Sequence, residues 1–205
     1  MSQQLRMVIV LTTIALLSGG VLALTYLVSR NAIEANQIRE QRRSIFEVVP
    51  DVESYEQRSQ GELTYFECRD SSGDLAGFAL PAEGNGYQGT IKLMIGLSAD
   101  LSTITGVEVL EQVETPGLGG RISEHTFQEQ FRGLAALPLL SYVKYRKPEG
   151  PSQIQAITGA TISTRSTLAI INHTLEQAQA VLGSSVPEGT EKKVSKAWNL
   201  EHQAR

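Results

Sequence analysis

Late in the chain, residues 156–164 read AITGATIST, which sets Thr158, Thr161, Ser163 and Thr164 around a single glycine, Gly159. The preceding QIQAI has the character of a strand and a helical pattern begins near Thr161, so TGAT is a strand-to-helix turn. A helix amino terminus presents unpaired N–H groups and a partial positive charge, which together suit a phosphate. Gly159 lets the backbone approach a ligand closely, and Ala160 keeps the surface small. On local physics alone a simple N-cap by Thr158 or Thr161 is the plainer reading, since Ser and Thr are common caps. One cap would need one hydroxyl, and four are present.

A second unusual stretch is ETPGLGG, residues 114–120. Pro116 fixes one φ, while Gly117, Gly119 and Gly120 permit sharp turns, leaving Leu118 displayed on a stiff loop. The stretch lacks the Lys-Ser/Thr ending of a nucleotide P-loop. By composition it is a turn, but a displayed Leu beside the Thr115 hydroxyl could cover one face of a flat ring. Other reactive residue types carry no site. His125 and His173 have no second ligand at metal spacing. Cys68 lies in a strand pattern as a small hydrophobe, and its being the one cysteine excludes an intrachain disulfide. No nucleophile elbow supports hydrolysis, and no catalytic residue is assigned. With a net charge of −4, the chain has no basic field for nucleic acid.

The elements that must hold these motifs follow from hydropathy. After a short tail (1–6), residues 7–28 form a run of 22 without a charge, bracketed by Arg6 and Arg30. As a helix the run is roughly 33 Å long, enough for a bilayer core of about 30 Å. A cleavable signal peptide has a shorter apolar region, of about 7–15 residues. Arg30, Arg39, Arg42 and Arg43 follow the span and Arg6 precedes it, so the positive-inside count favours a cytoplasmic body. Residues 29–50 read as a juxtamembrane helix with Ile38, Ile45 and Val49 on one side, ended by Pro50. A pilin-like protein would share that beginning, but its basic leader ending in glycine is absent.

Beyond Pro50, residues 51–183 form the globular domain. LTYFECR and LAGFALP flank DSSGD, whose Gly73 suits a hairpin; IKLMIGL and ITGVEVLEQVE follow. Two helices are expected, SEHTFQEQFRGLAAL with Phe127, Phe131 and Leu134 on one face and Ser123 as cap, and TLAIINHTLEQAQAVL with Leu168, Ile171, Leu175 and Leu182. Strands and helices in separate blocks predict an α+β fold with an antiparallel or mixed sheet. Residues 184–205 read as a polar, mobile tail with room for one short helix.

GYQGTIKLMIGLS, GVEVLEQVETPGLGGRI and AITGATIST occur in that order, and in this the chain resembles the FMN-binding domain shared by the G subunit of the Rnf electron-transport complex and the C subunit of the sodium-translocating NADH:quinone reductase. The single amino-terminal span matches too, the resemblance runs to about Leu182, and the compact length is closer to the Rnf protein. The resemblance implies that a flavin transferase moves FMN from FAD onto the last Thr of TGAT, making Thr161 the phosphoester site. Thr158, Gly159 and Ala160 would shape the phosphate turn, and Ser163 and Thr164 would satisfy backbone groups or line the phosphate. Thr115, Leu118 and Gly119 would lie against the isoalloxazine ring, with Glu114 left as structural. The implied role is an electron relay among the other subunits of a membrane complex linking ferredoxin and NAD chemistry to ion movement, with the domain on the outer face. Relatives usually carry Asp three residues before the first residue of the target; here that place is Gln155. Alternatives are an anchored flavin carrier or sensor outside a pump, the quinone-reductase protein itself, and an assembly protein without flavin.

Overall fold

A computed structural model describes residues 2–61 and 63–183, so the 184–205 tail lies outside the described residues. The described chain falls into two units, divided after Arg42. The first is helical. Helix α1 (Gln3–Val48) takes in both segments expected separately at 7–28 and 29–50, and its Gln3–Arg30 portion is long and apolar enough to cross a membrane.

The second unit is built on a five-stranded antiparallel sheet in sequential order: β1 (Ser54–Gln60), β2 (Leu63–Arg69), β3 (Leu75–Asn85), β4 (Thr90–Ser98) and β5 (Ile104–Glu111). A separate parallel pair joins β6 (Ser141–Val143) to β7 (Gln153–Gln155), and helix α3 (Thr161–Leu182) follows. The period-two pattern of IKLMIGL is realised in β4, where Ile91, Leu93, Ile95 and Leu97 are fully buried in the larger core. Burying each such side chain contributes about 1.5–3 kcal/mol. The exposed ion pair from Lys92 of this strand to Glu111 of β5 is screened by water and adds little beside that. Leu168, Ile171, Leu175 and Leu182 of α3 pack into the same core.

The opposite sheet face is covered as well. Ile45, Val48 and Val49 pack on Phe66, Cys68, Ala79 and Met94. The cross-strand pair Gly96–Gly106 makes room for this segment. A Cβ on Gly96 would collide with the Val48 carbonyl, and one on Gly106 would lie 2.9 Å from Val48 Cα. Thr105 Oγ1 donates to that carbonyl at 2.5 Å.

Two expectations are corrected. SEHTFQEQFRGLAAL is not one helix. Only a four-residue helix α2 (His125–Gln128), without a side-chain cap, forms there, preceded by a 3-10 turn (Gly119–Ser123) that ends on the segment's first residue and followed by another at Glu129–Phe131. The backbone turns away at Gly133, whose φ is +80°, and is captured by the start of β5: Gly133 N–H donates to the Ile104 carbonyl, and Ile104 N–H to that of Leu134, each at 2.8 Å. Phe127 and Phe131 do share a buried face, meeting edge to face at 5.4 Å. The other correction is an additional strand, β1, exposed along its whole length and therefore without a burial pattern to betray it.

Candidate functional site

The TGAT turn lies between β7 and α3. Gln130 clamps the end of β7, its Oε1 accepting from Gln155 N–H at 2.8 Å. Next, Ala156 N–H donates to the Val143 carbonyl at 2.9 Å, which ties the turn to β6. Gly159 has φ +84°, a region that costs an L-residue about 1–2 kcal/mol. The Thr164 hydroxyl closes the turn from within: it accepts from Ile157 N–H and donates to the Ala160 carbonyl, both at 3.2 Å, and Thr164 is fully buried. Of the two roles open to Thr164, satisfying backbone groups is the one its bonds fill.

No side chain caps α3, whose N-cap residue is Ala160. Among the described residues no hydrogen bond engages the hydroxyls of Thr158, which is exposed, or Thr161, which is half-buried. The cap reading is thus not the arrangement found. The first turn keeps its N–H groups and partial positive charge available to an anion, with the Thr161 hydroxyl beside them.

The 114–120 loop meets this turn directly. The Thr115 carbonyl accepts from Leu118 N–H at 3.1 Å and Gly120 N–H at 3.0 Å, closing the loop on itself, with Gly117 at φ +75°. Leu118 stays 48% exposed, and its Cδ2 lies 3.2 Å from where a Cβ on Gly159 would stand. Thr115 is half-buried and Gly119 buried. Thr115, Leu118, Gly119, Thr158, Gly159, Ala160, Thr161 and Thr164, read separately from two motifs, therefore belong to one locale.

Sequence reasoning set Glu114 aside, and the structure places it at the centre. It is 4% exposed. Its Oε1 accepts from the backbone N–H groups of Tyr87 at 2.5 Å and Gln88 at 3.0 Å, and its Oε2 accepts from Ser163 Oγ at 2.7 Å. The signal available was a lone acid opening a proline-glycine loop, which by type alone cannot be told from a surface residue. Around this carboxylate Tyr87, Val113, Leu118 and Ile162 keep large apolar exposure. An open groove of about 220 Å³ is lined by Arg121, Thr126, Phe127, Gln130, Gln155 and Thr158. Gln155 itself is exposed.

The FMN-binding domain family matches residues 86–176, a span that begins at the turn gripped by Glu114 and ends within α3. The G subunit of an ion-translocating oxidoreductase complex from Methanosarcina acetivorans is 31% identical over 87% of this chain and 96% of its own length. The chain belongs to the family of G subunits of the Rnf-type ion-translocating oxidoreductases. The G subunit of a sodium-translocating ferredoxin:NAD+ oxidoreductase complex from Acetobacterium woodii is 29% identical, covering 83% of this chain and 89% of that one. The crystal structure of NqrC from Shewanella oneidensis shares the fold, with a TM-score of 0.53 at 22% identity over 63% of this chain and 72% of that one. In this Rnf-type G subunit the Thr161 hydroxyl, without a hydrogen bond among the described residues, stands at the start of α3, an exposed leucine lies near left-handed Gly159, and a Cβ at buried Gly119 would collide with Ser163 Oγ.

Proposed function

We propose that this Rnf-type protein carries FMN as a phosphoester on Thr161 and relays electrons within a membrane-bound, ion-translocating complex linked to ferredoxin and NAD. The observation that carries the reading is the Thr161 hydroxyl at the start of α3, free of hydrogen bonds among the described residues, with the 114–120 loop seated against the same turn. Attachment exchanges the hydroxyl proton for the FMN phosphoryl group of FAD, and AMP leaves; a flavin transferase is the partner that does this. When bound, the flavin supplies the redox chemistry, and the protein supplies placement and local charge. The first-turn N–H groups of α3 would receive the flavin's phosphate. Thr164 ties the turn together, Thr158 and Gly159 would shape it around the phosphate, and Thr115, Leu118 and Gly119 would line the ring.

The Gln3–Arg30 helix anchors the chain, and the other subunits of the complex are its partners. A covalent bond retains a cofactor regardless of its free concentration, which matters where no flavin pool exists; this supports the outer face for the domain, against the positive-inside count. The Rnf-type relatives align over most of both chains, which favours that assignment over the quinone-reductase protein, a Vibrio campbellii example of which aligns over 44% of this chain.

Mass spectrometry of the Thr161 peptide from native membranes tests the reading. The peptide should carry the mass of a phosphate-linked FMN, and Thr161→Ala should abolish both the adduct and the bound flavin. An unmodified peptide from native membranes refutes the tether. Purification without multi-span partners would refute the complex and leave an anchored carrier.

A further inference from the structure

The turn at 86–89, the 114–120 loop and the first turn of α3 come from three distant parts of the chain, and one carboxylate joins them. Glu114 divides its two oxygens between the Tyr87 and Gln88 N–H groups on one side and the Ser163 hydroxyl on the other. It accepts from three donors and donates to none, the bonding pattern of an ionised carboxylate. Two glycines leave room for it. A Cβ on Gly86 would collide with Oε1, and a Cβ on Gly119 would collide with Ser163 Oγ and lie 2.5 Å from Oε2. Gly119, placed in the loop as a turn former, is thus required by what packs beneath it.

Ser163 follows Thr161 by two residues, about 200° of helical rotation, so holding Ser163 inward fixes the direction in which Thr161 faces. Thr164, buried and bonded to the turn, fixes the same rotation a second time. The helix that bears the attachment hydroxyl is in this way keyed to the loop that bears Leu118.

We propose that Glu114 is a positioning residue of the flavin site: through Ser163 it sets the orientation of the Thr161 helix against the 114–120 loop, so that an attached flavin is held at one angle to that loop. The proposal rests on the phosphoester reading. It assigns Glu114 no contact with the flavin.

The test uses the full-length chain in its native membrane complex, with Ser163→Ala, Glu114→Ala, the double variant and Glu114→Gln. Gln preserves the links, because its oxygen accepts from Tyr87 and Gln88 while its amide donates to the Ser163 hydroxyl. The readouts are the mass of the Thr161 peptide, and the visible-region circular dichroism and fluorescence polarisation of the attached flavin. Ser163→Ala and Glu114→Ala should each lose more than half of the dichroism and lower the polarisation. Glu114→Gln should keep both near the parent, and the double variant should be no worse than Glu114→Ala, as expected for two ends of one interaction. If Glu114→Ala fails to fold, Ser163→Ala carries the test alone, since it removes one hydroxyl. Parent-like dichroism and polarisation in flavinylated Ser163→Ala overturn the positioning role and leave the tether intact. An unmodified parent chain overturns the tether, and the positioning role with it.

Discussion

A methyl group placed at Gly119 strikes the junction on which the site depends. Gly119 is buried and does not have a positive φ, so Ala there meets no backbone strain, and its whole cost comes from what the Cβ touches. It would enter space held by Ser163 Oγ and stand 2.5 Å from Glu114 Oε2, so the hydrogen bond between those groups must open. Losing a hydrogen bond to a charged group costs about 1.5–3 kcal/mol. Overpacking adds about 1–3 kcal/mol, for a total of about 2.5–6 kcal/mol. Gly159→Ala is the internal control, because its cost is of another kind. There the φ of +84° imposes about 1–2 kcal/mol, and the one near contact, Leu118 Cδ2 at 3.2 Å, belongs to a flexible side chain that can give way. Thermal unfolding of the full chain in detergent should show Gly119→Ala lower by roughly 7 °C or more, and Gly159→Ala by roughly 3–6 °C. Adding Ser163→Ala to Gly119→Ala should recover part of the loss by removing the struck hydroxyl. A Gly119→Ala melting point within about 1 °C of the parent, or a larger loss in Gly159→Ala, would refute the account of this junction.

Two other outcomes follow from groups outside the site. Burial, reinforced by the Glu67 charge and partly offset by a backbone hydrogen bond, pushes the Cys68 thiol up to about 11. At pH 7.5 its reactive thiolate should therefore be roughly 100-fold scarcer than in the unfolded chain, so native alkylation should be slower by at least that factor, and labelling at the unfolded rate would contradict the burial. At the turn before β5, burial raises the Asp100 carboxyl, but hydrogen bonds from Ser98 and Ser102 outweigh it and leave the group below its ordinary value. A lowered carboxyl stabilises the fold above its unfolded value and loses that contribution as pH falls through its folded value, so the stability gap between parent and Asp100→Asn should narrow below about pH 4. Denaturant titrations at several pH values check this, and a gap independent of pH would count against it.

Much of the architecture was legible in the chain because it is written in local patterns. The uncharged run from Met7 to Val28 specifies a helix long and apolar enough to cross a membrane, and the alternation in β4 specifies which face is buried. Likewise α3 and the turn before it follow from periodicity and one glycine, and three ordered motifs pointed to the family. What sequence could not decide depends on partners far away along the chain. β1 is exposed on both faces and has no period to detect, while the segment ending at Phe131 looks helical until the Ile104 backbone captures Gly133 and Leu134. Nothing local to Gly96 or Gly106 shows that Val48 lies on them. Glu114 is the clearest case, since its partners lie 26, 27 and 49 residues away and residue type alone separates no buried acceptor from a solvated acid. The two motifs were legible in the chain, and what holds them against each other was not, because a hydrogen bond between distant segments exists only once the sheet and α3 have brought them together.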